Sequence, residues 1–194
     1  MKTTLKTVRT CSLVLVALLT MAALAAAQVE TIDATARGTS TQMGRIVNVK
    51  IIVRQYSTAE DTAALKTAFQ QGSNEGLVKA LEKMKGVGQI SVTGTVGQSL
   101  AYVSSVQTPT GRRIRFVTNR LLKFREVAQQ TRSTAYNLTA GEIIIDDSDS
   151  SKSTGVLYPA AQFGIDEQGQ LSINLFKNPW QLTNIIDWRP KKEQ

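Results

Sequence analysis

The chain contains no histidine and a single cysteine among its 194 residues. Histidine is the commonest general acid or base near neutral pH, and cysteine is a strong nucleophile. Both are also common ligands of transition metals. Their scarcity excludes most transition-metal sites, cysteine nucleophiles and histidine-based catalysis. The sequence therefore predicts no cofactor and no metal site, and it favours a protein that is not an enzyme.

Residues 1–27 have the order of a secretory signal peptide. A basic opening precedes an apolar run, from Cys11 to Ala27, which ends in a small-x-small cleavage site. The run is shorter than the ~20 apolar residues that a membrane-spanning helix needs. We expect cleavage after Ala27, which leaves one mature domain, residues 28–194, with no cysteine and therefore no disulfide. An uncleaved N-terminal anchor is the alternative.

Positive charge exceeds negative charge in the expected mature chain. Three of the 23 basic residues lie in the signal segment, which leaves 20 against 15 acidic residues and a net charge of +5. A cationic exported protein is attracted to anionic components of the envelope, although such a charge also suits any soluble domain. We expect the partner to be anionic lipid, acidic glycan or another envelope protein, and not nucleic acid. We expect no transmembrane span after cleavage, and a periplasmic or extracellular location.

Alternation with a period of two begins soon after the signal segment. In residues 32–37 and 47–53, apolar side chains alternate with polar ones, as in strands that are packed on one side and wet on the other. The turn residues between these segments predict a β-hairpin. Further strands are predicted at 89–95, 100–107, 112–119, 134–138, 142–146, 155–163, 171–176 and 180–188.

Between the hairpin and the later strands, the period changes to that of an amphipathic helix. Ser57 and Glu60 have the spacing of a capping box, and Gly72 interrupts the apolar stripe. These signals predict two short helices, at 58–71 and 74–85. The predicted fold class is α+β: a mainly antiparallel curled sheet or incomplete barrel, with the pair of short helices packed on it. A transmembrane barrel is the structural rival, although the helical pair fits it poorly.

A group of arginines is the first candidate binding site. It comprises Arg112, Arg113, Arg115 and Arg120. Arginine forks suit phosphate, sulfate and carboxylate groups, so this region predicts a site for an anionic ligand. Alternation places Arg113 and Arg115 on the polar face of one strand. A solvated face paired with the chain's own acids is the alternative.

Two tryptophans form the second candidate binding site. Trp180 and Trp188 are predicted to point the same way from one strand. There they wall a ligand pocket or stack on a sugar, unless they fill the core as large aromatic side chains mostly do.

Acidic residues supply two weaker candidates. The acidic loop at 146–153 offers oxygen ligands for Ca²⁺, but it lacks the glycine and the final glutamate of a calcium loop. A solvated hairpin tip explains the same residues and is the favoured interpretation. Glu142 and Asp187 are an example of the carboxylate pairs that glycoside hydrolysis needs, but nothing in the spacing selects this pair over others.

Several strings together resemble a group of uncharacterised exported bacterial proteins. They are TPTGRRIRFVTNR at 108–120, STGVLYPAA at 153–161, and NPW and NIIDW within 178–188. The resemblance spans residues 46–188 and implies an envelope setting, without an activity, a cofactor or a catalytic residue. The sequence thus favours a non-enzymatic binding module of the bacterial envelope, for an anionic or amphiphilic ligand. A carboxylate-dependent hydrolase acting on envelope polysaccharide is the alternative.

Export predicts a mature N-terminus at Gln28. When the full chain is expressed in a bacterium, we expect N-terminal sequencing of the protein from the periplasm or medium to begin at Gln28. A variant with Ala25→Leu and Ala27→Leu, which blocks the small-x-small site, is expected to keep its full length. An exported protein that still carries residues 1–27 would contradict the assignment.

Overall fold

A computed structural model describes residues 29–118, 120, 138–165, 171–177 and 179–189 of the protein. Within these ranges the chain forms nine strands and one α-helix. The strands are β1 Glu30–Gly38, β2 Ile46–Val53, β3 Gly88–Val92, β4 Gln98–Thr108, β5 Gly111–Thr118, β6 Leu138–Asp146, β7 Thr154–Ile165, β8 Leu171–Lys177 and β9 Trp180–Asp187. The helix, α1, is Ala59–Lys83 and connects β2 to β3.

Eight of the nine described strands close into an antiparallel barrel. Their hydrogen-bonded order is β6-β5-β4-β3-β2-β1-β9-β7, and β7 pairs with β6 to complete the ring. β9 is the closing strand, because it pairs with β1 along its length and with β7 at its start. β8 pairs with the far end of β7 and lies outside the ring. Closure pairs the backbone groups that an open sheet leaves exposed at its two edges.

This barrel contradicts the predicted α+β curled sheet or incomplete barrel with a pair of helices. Closure depends on partners such as Ile32 and Asp187, which lie so far apart in the chain that no local periodicity records their pairing. The helical region is one element, α1. Its helical geometry is interrupted at Gly72 and Ser73 and then resumes at once. The interruption falls where the sequence predicted it, but it is a kink within α1.

The start of α1 is fixed by two sets of hydrogen bonds. Thr58 is the N-cap: its hydroxyl accepts a bond from the Asp61 amide, and the Asp61 carboxylate accepts one from the Thr58 amide. The capping box predicted at Ser57 and Glu60 is therefore wrong by one residue. Ser57 instead bonds β4, because its hydroxyl accepts from the Val103 amide at 3.1 Å. Within the described ranges, no helix combines the length and the apolar content that crossing a bilayer requires.

Side chains fill the barrel interior. Strands that ring an eight-stranded barrel leave just enough space inside for their own side chains. Gly141 shows how tight this space is, because a Cβ there would lie 2.8 Å from two ring carbons of Phe116 on the next strand. The interior cluster consists of Ile32, Ala34, Ala36, Val49, Ile51, Val53, Val87, Ile90, Leu100, Val103, Ile114, Phe116, Ile143, Ile145, Leu157, Trp180, Leu182 and Ile185. The interior is thus a packed core.

One strand, β6, stands where two strands were predicted, at 134–138 and 142–146. The strand is continuous from Leu138 to Asp146, and Gly141 lies inside it opposite Phe116. The glycine therefore makes room for an aromatic ring and does not mark a turn. Residues 134–137, together with residue 119 of the predicted strand at 112–119, lie outside the described residues.

α1 packs on the outside of the barrel and forms a second apolar cluster there. Its buried leucines, Leu65, Leu77 and Leu81, belong to one cluster with buried side chains of β4, β5, β6 and β7. At the kink, the buried Asn74 side chain accepts a hydrogen bond at 3.1 Å from the Phe163 amide, where the register between β7 and β8 shifts. The members of this cluster come from α1 and from β4 to β8, so the outward side of β9, β1, β2 and β3 lies outside it.

Candidate functional site

A buried ion network lies at one end of the barrel interior. Arg112 is only 2% exposed, and its guanidinium bonds both carboxylate oxygens of Glu30, with Nη1 to Oε2 at 3.0 Å. Nη2 also donates to Asp187 Oδ2 at 2.8 Å. The Tyr56 hydroxyl accepts from Arg112 Nη1 at 2.7 Å and donates to Glu30 at 2.6 Å. Both Nη atoms are thus satisfied, while Nε of Arg112 is buried without a partner among the described residues.

This network spans the barrel. Arg112 is on β5 and Glu30 on β1, and these strands are four places apart in the ring of eight, which puts them on opposite sides. Asp187 ends β9 and is also bonded by Arg189 just beyond it, at 3.0 Å. Burying such charges costs desolvation that their attraction roughly offsets, whereas removing one partner costs about 3–5 kcal/mol. The network therefore favours the pairing in which these strands face each other.

Tyr56 and Arg112 keep their protons across the physiological pH range. Burial raises the pKa of Tyr56 to about 12, and the hydrogen bond to Glu30 contributes to the rise. Burial lowers the pKa of Arg112, but the hydrogen bond and the negative charge of Glu30 outweigh this, so the pKa lies above its ordinary value. Neither side chain is suited to proton transfer near neutral pH.

The four arginines of the predicted anion site do not converge. Arg112 points into the barrel, whereas Arg113 and Arg115 lie on its outer surface beside Glu142. The Glu142 carboxylate is 3.5 Å from Nε of Arg113 and 2.6 Å from Nε of Arg115. Arg120 is exposed beyond the end of β5. Two cations therefore share one carboxylate here, and anion binding at this place stays a prediction.

The two tryptophans lie on opposite sides of β9. Trp180 is 3% exposed in the core and Trp188 is 60% exposed outside it. The prediction that both point the same way is wrong because β9 contains a bulge. Asn184 has a φ of 49°, and the register with β1 shifts at this point. The extra residue turns Ile185 and Asp187 inward and leaves Trp188 on the outer surface.

Glu142 and Asp187, the example of a carboxylate pair, do not lie together. Glu142 faces outward with the arginines of β5, whereas Asp187 faces inward and bonds Arg112. Glu30 is the carboxylate that does meet Asp187, and both are bonded to the same guanidinium. These acids are therefore engaged in holding the barrel together.

The acidic loop at 146–153 uses its carboxylates to hold its own turns. Asp146 Oδ1 accepts bonds from the hydroxyl and amide of Ser148 and from the Asp149 amide. Asp149 Oδ1 accepts bonds from the hydroxyl and amide of Ser151. The Ser148 hydroxyl is the main reason that the pKa of Asp146 lies below its usual value. Across the described ranges, no group of three or more His, Cys, Asp or Glu side chains is placed to hold a metal ion.

The outward side of β9, β1, β2 and β3 forms a continuous surface, which we call the open face. Cross-strand pairing aligns its side chains in rows. One row consists of Ile186, Asp33, Lys50 and Ser91, which are successive partners across the four strands. The next row includes Thr183, Thr35 and Asn48. Neighbouring strands are ~4.8 Å apart, so a row extends about 14 Å across the sheet.

A groove of about 500 Å³ crosses the open face. Most of its polar lining carries hydroxyl or amide groups: Thr35, Asn48, Ser91, Thr93, Thr95 and Asn184. Such groups both donate and accept hydrogen bonds. Asp33 and Lys50 line the same groove, with Asp33 Oδ1 at 3.6 Å from Lys50 Nζ. The groove therefore offers hydrogen bonds of both directions beside one charge of each sign.

Trp188 stands beside this groove and is held there by two hydrogen bonds. Its indole Nε1 donates to Asp33 Oδ2 at 2.8 Å, and its amide donates to the Thr31 carbonyl at 3.0 Å. The neighbouring Ile186 is 47% exposed and lines the groove. Because its polar atom is already bonded, the exposed indole presents an apolar surface at the edge of the groove.

Positive charge predominates on the open face. Arg37, Lys50 and Arg54 are exposed there at alternate positions of β1 and β2 or just beyond, and Asp33 is the carboxylate that accompanies them among the described residues. The excess of cations attracts anions. The face thus combines a polar groove, an exposed indole and a net positive charge.

Neither the open face nor Glu30 was predicted from the sequence, although the alternation in β1 and β2 indicated part of the face. Alternation already put Asp33 and Lys50 on the wet sides of two strands that were predicted to form a hairpin. Aligning that hairpin would have made the two residues neighbours. Ile186 and Trp188 join the open face through the pairing of β1 with β9. That pairing lies outside the predicted hairpin, so the hairpin could not have placed them there.

A scan against protein-family models and searches of curated proteins and of solved structures found no match to this chain. Its function is therefore inferred from the geometry and chemistry of the described residues.

Removing both partners of the buried ion pair is expected to cost less than the sum of the two single removals. Arg112→Met removes the guanidinium that bonds both Glu30 oxygens and leaves the buried carboxylate with Arg189 at 3.8 Å, so we expect the free energy of unfolding in urea to fall by about 3 kcal/mol. Arg112→Met combined with Glu30→Gln should be less damaging than the sum of the single changes, by at least about 1 kcal/mol. Arg113→Met, on the outer side of the same strand, is the control and should change stability by less than about 0.5 kcal/mol. Strict additivity would show that the two residues act independently.

Tyr56 is expected to make the folded protein sensitive to alkali. Its folded pKa of about 12 exceeds the ordinary value of 10.0, so its contribution to stability is complete below pH 10 and is lost as the pH rises through 12. Between about pH 9 and about pH 11, the free energy of unfolding should fall by about 1 kcal/mol more in the wild type than in Tyr56→Phe. Urea titrations at the two pH values measure this difference. Equal losses in the two proteins would contradict the assigned shift.

Proposed function

We propose that the protein is an exported, non-enzymatic binding module of the bacterial envelope that holds an anionic ligand on the open face. One observation carries the proposal: the exposed cations Arg37, Lys50 and Arg54 share with Asp33 a face crossed by a groove of about 500 Å³. Cations draw an anionic ligand towards the face, and the hydroxyl and amide groups of the groove supply short-range hydrogen bonds.

Export and an envelope setting are proposed from the N-terminal segment. Residues 1–27 have the signal-peptide order, and the resemblance to exported bacterial proteins points to the same compartment. The functional chain is then residues 28–194. An envelope offers anionic lipid and acidic glycan as ligands for a cationic surface.

The state of the carboxylates supports binding over catalysis. Asp33 is bonded to Trp188 and lies beside Lys50, while Glu30 and Asp187 are bonded to Arg112. Hydrolysis of a glycoside by the usual mechanism requires two carboxyl groups facing one substrate. The described residues do not place two acids in the groove, so the hydrolase alternative gains no support from them.

An anionic ligand is better supported than an amphiphilic one. An acyl chain needs an apolar cavity, and the barrel interior is filled by the protein's own side chains. A hollow of about 200 Å³ lies outside the barrel, where Arg115 and Glu142 join Phe163 and other apolar side chains. It is smaller than the groove, and its arginine already bonds Glu142.

Lys50→Gln tests the open face as the place of binding. Residues 28–194 are titrated with vesicles that contain phosphatidylglycerol and with a uronic acid polymer, at low and at high salt. We expect binding to at least one probe, weakened about tenfold at high salt because the surface charges are screened. Lys50→Gln should weaken it about fivefold, since an exposed charge contributes up to about 1 kcal/mol. Lys79→Gln is the control, because it removes the charge of another exposed, ion-paired lysine, which lies on α1 away from the open face.

A second variant distinguishes the open face from the arginines of β5. If Arg113→Ala with Arg115→Ala lowers the affinity and Lys50→Gln does not, the ligand binds beside Glu142 and the open face is the wrong location. If no anionic probe binds even at low salt, or if binding is independent of salt, the proposed function is wrong.

A further inference from the structure

We propose that the ligand of the open face is an acidic polysaccharide, with one sugar ring stacked on Trp188 and a carboxylate of the chain facing Lys50. This inference rests on the proposed function and names the chemical class of its ligand. It depends on three properties of the face: a fixed exposed indole, a lining of hydroxyl and amide groups, and an excess of positive charge.

The indole of Trp188 is arranged as a platform. A tryptophan side chain is mostly apolar and is usually buried, yet this ring is 60% exposed. It is not left to rotate freely, because Nε1 donates to Asp33 Oδ2 and the adjacent amide is bonded to β1. A ring that is already held loses little conformational entropy when a ligand stacks on it. The apolar C–H surface of a sugar ring matches such a platform, whereas its hydroxyl groups point to the side.

The groove beside the indole suits those hydroxyl groups. Thr35, Asn48 and Ser91 lie on three neighbouring strands and line one groove. Each sugar hydroxyl both donates and accepts, and so do the hydroxyls of threonine and serine, while an asparagine amide offers one group of each kind. A polar ligand of this type replaces the hydrogen bonds it made with water, so its desolvation is compensated.

Charge complementarity selects an acidic sugar over a neutral one. Lys50 lies in the row between Asp33 and Ser91, and Arg37 and Arg54 lie further along the two central strands. These cations are spaced along the sheet and do not form one tight cluster. A chain that bears a carboxylate on successive sugars meets such a series better than a single small anion does. The groove extends across several strands, which leaves room for more than one sugar.

A membrane surface fits the open face less well. Lipid headgroups form a broad layer that meets protruding side chains first. The most exposed large apolar side chains of the described residues, Val96 and Met43, lie in the turns after β3 and β1. The groove lies away from these two side chains, and Ile186 is the one large exposed apolar side chain in its lining among the described residues. Vesicle binding is therefore the competing outcome of the test.

The two tryptophans of the mature chain allow a direct experiment. Trp180 is buried in the barrel and Trp188 is exposed, so acrylamide quenches mainly the fluorescence of Trp188. The probes are hexamers of galacturonate, of mannuronate and of hyaluronan, with cellohexaose as the neutral comparison. We expect at least one acidic hexamer to protect Trp188 from acrylamide, and the protection to disappear in Trp188→Phe, which has no exposed indole.

Calorimetric affinities for the same hexamer separate stacking from charge. Trp188→Ala is expected to weaken binding about tenfold and Trp188→Phe, which keeps an aromatic ring, about threefold or less. Val106→Ala, a change at a similarly exposed apolar side chain on β4, is the control and should leave the affinity unchanged. Lys50→Gln should reduce the preference for the acidic hexamer over cellohexaose. Thermal unfolding of each variant confirms that it is folded.

The outcomes distinguish this inference from the function on which it rests. If vesicles bind, no acidic hexamer does, and Val96→Ser weakens vesicle binding, the ligand is a membrane and the glycan inference is overturned while an anionic ligand remains. If a hexamer binds equally well to Trp188→Ala, the stacking site is wrong. If neither vesicles nor hexamers bind, the inference and the proposed function fail together.

Discussion

The ion pair between Arg112 and Glu30 is the constraint on which the rest of the structure depends. It joins β5 to β1 across a barrel whose interior is filled mainly by apolar side chains. A buried charge that finds no partner is costly, so alternative pairings that separate the two residues are disfavoured even though the pair itself adds little net stability. Through Asp187 the same guanidinium holds the end of β9, the strand that closes the ring. The network therefore contributes specificity of topology more than stability.

Once the ring is closed, the two halves of its outer wall have different environments. α1 covers the side that includes β4 to β7, with Leu77 and Leu81 buried and Asn74 bonded to β7. The side formed by β9, β1, β2 and β3 carries hydroxyl, amide and charged groups in rows. A rigid barrel holds these rows in fixed register, which is what a recognition surface requires. Division of the wall thus separates the part that stabilises the fold from the part available to a ligand.

Local features of this chain were predictable, and long-range ones were not. Alternation identified the inward and outward positions of β1 and β2. The change to a helical period identified the helical region, and Gly72 marked its interruption. The same alternation puts Arg112 on the face of Ile114 and Phe116, so its inward direction could have been predicted. The candidate anion site instead grouped Arg112 with Arg113. The bulge at Asn184 inserts one residue without any local signature and so reversed the expected side of Trp188. Barrel closure depends on pairing between β1 and β9. These strands lie so far apart in the chain that a short stretch of sequence never includes both.

That pairing has a consequence for the order in which the chain acquires its structure. β1 is the first strand of the barrel and β9 the last, and they are hydrogen-bonded neighbours. A nascent chain that lacks its last strand has β1 and β7 without the neighbour that joins them, so the ring stays open until synthesis reaches the end of the barrel. Contacts between such distant segments form late and slow folding, because the whole intervening chain must first be confined. Under the export proposed above, late closure would keep the chain in a form that a translocation channel can accept.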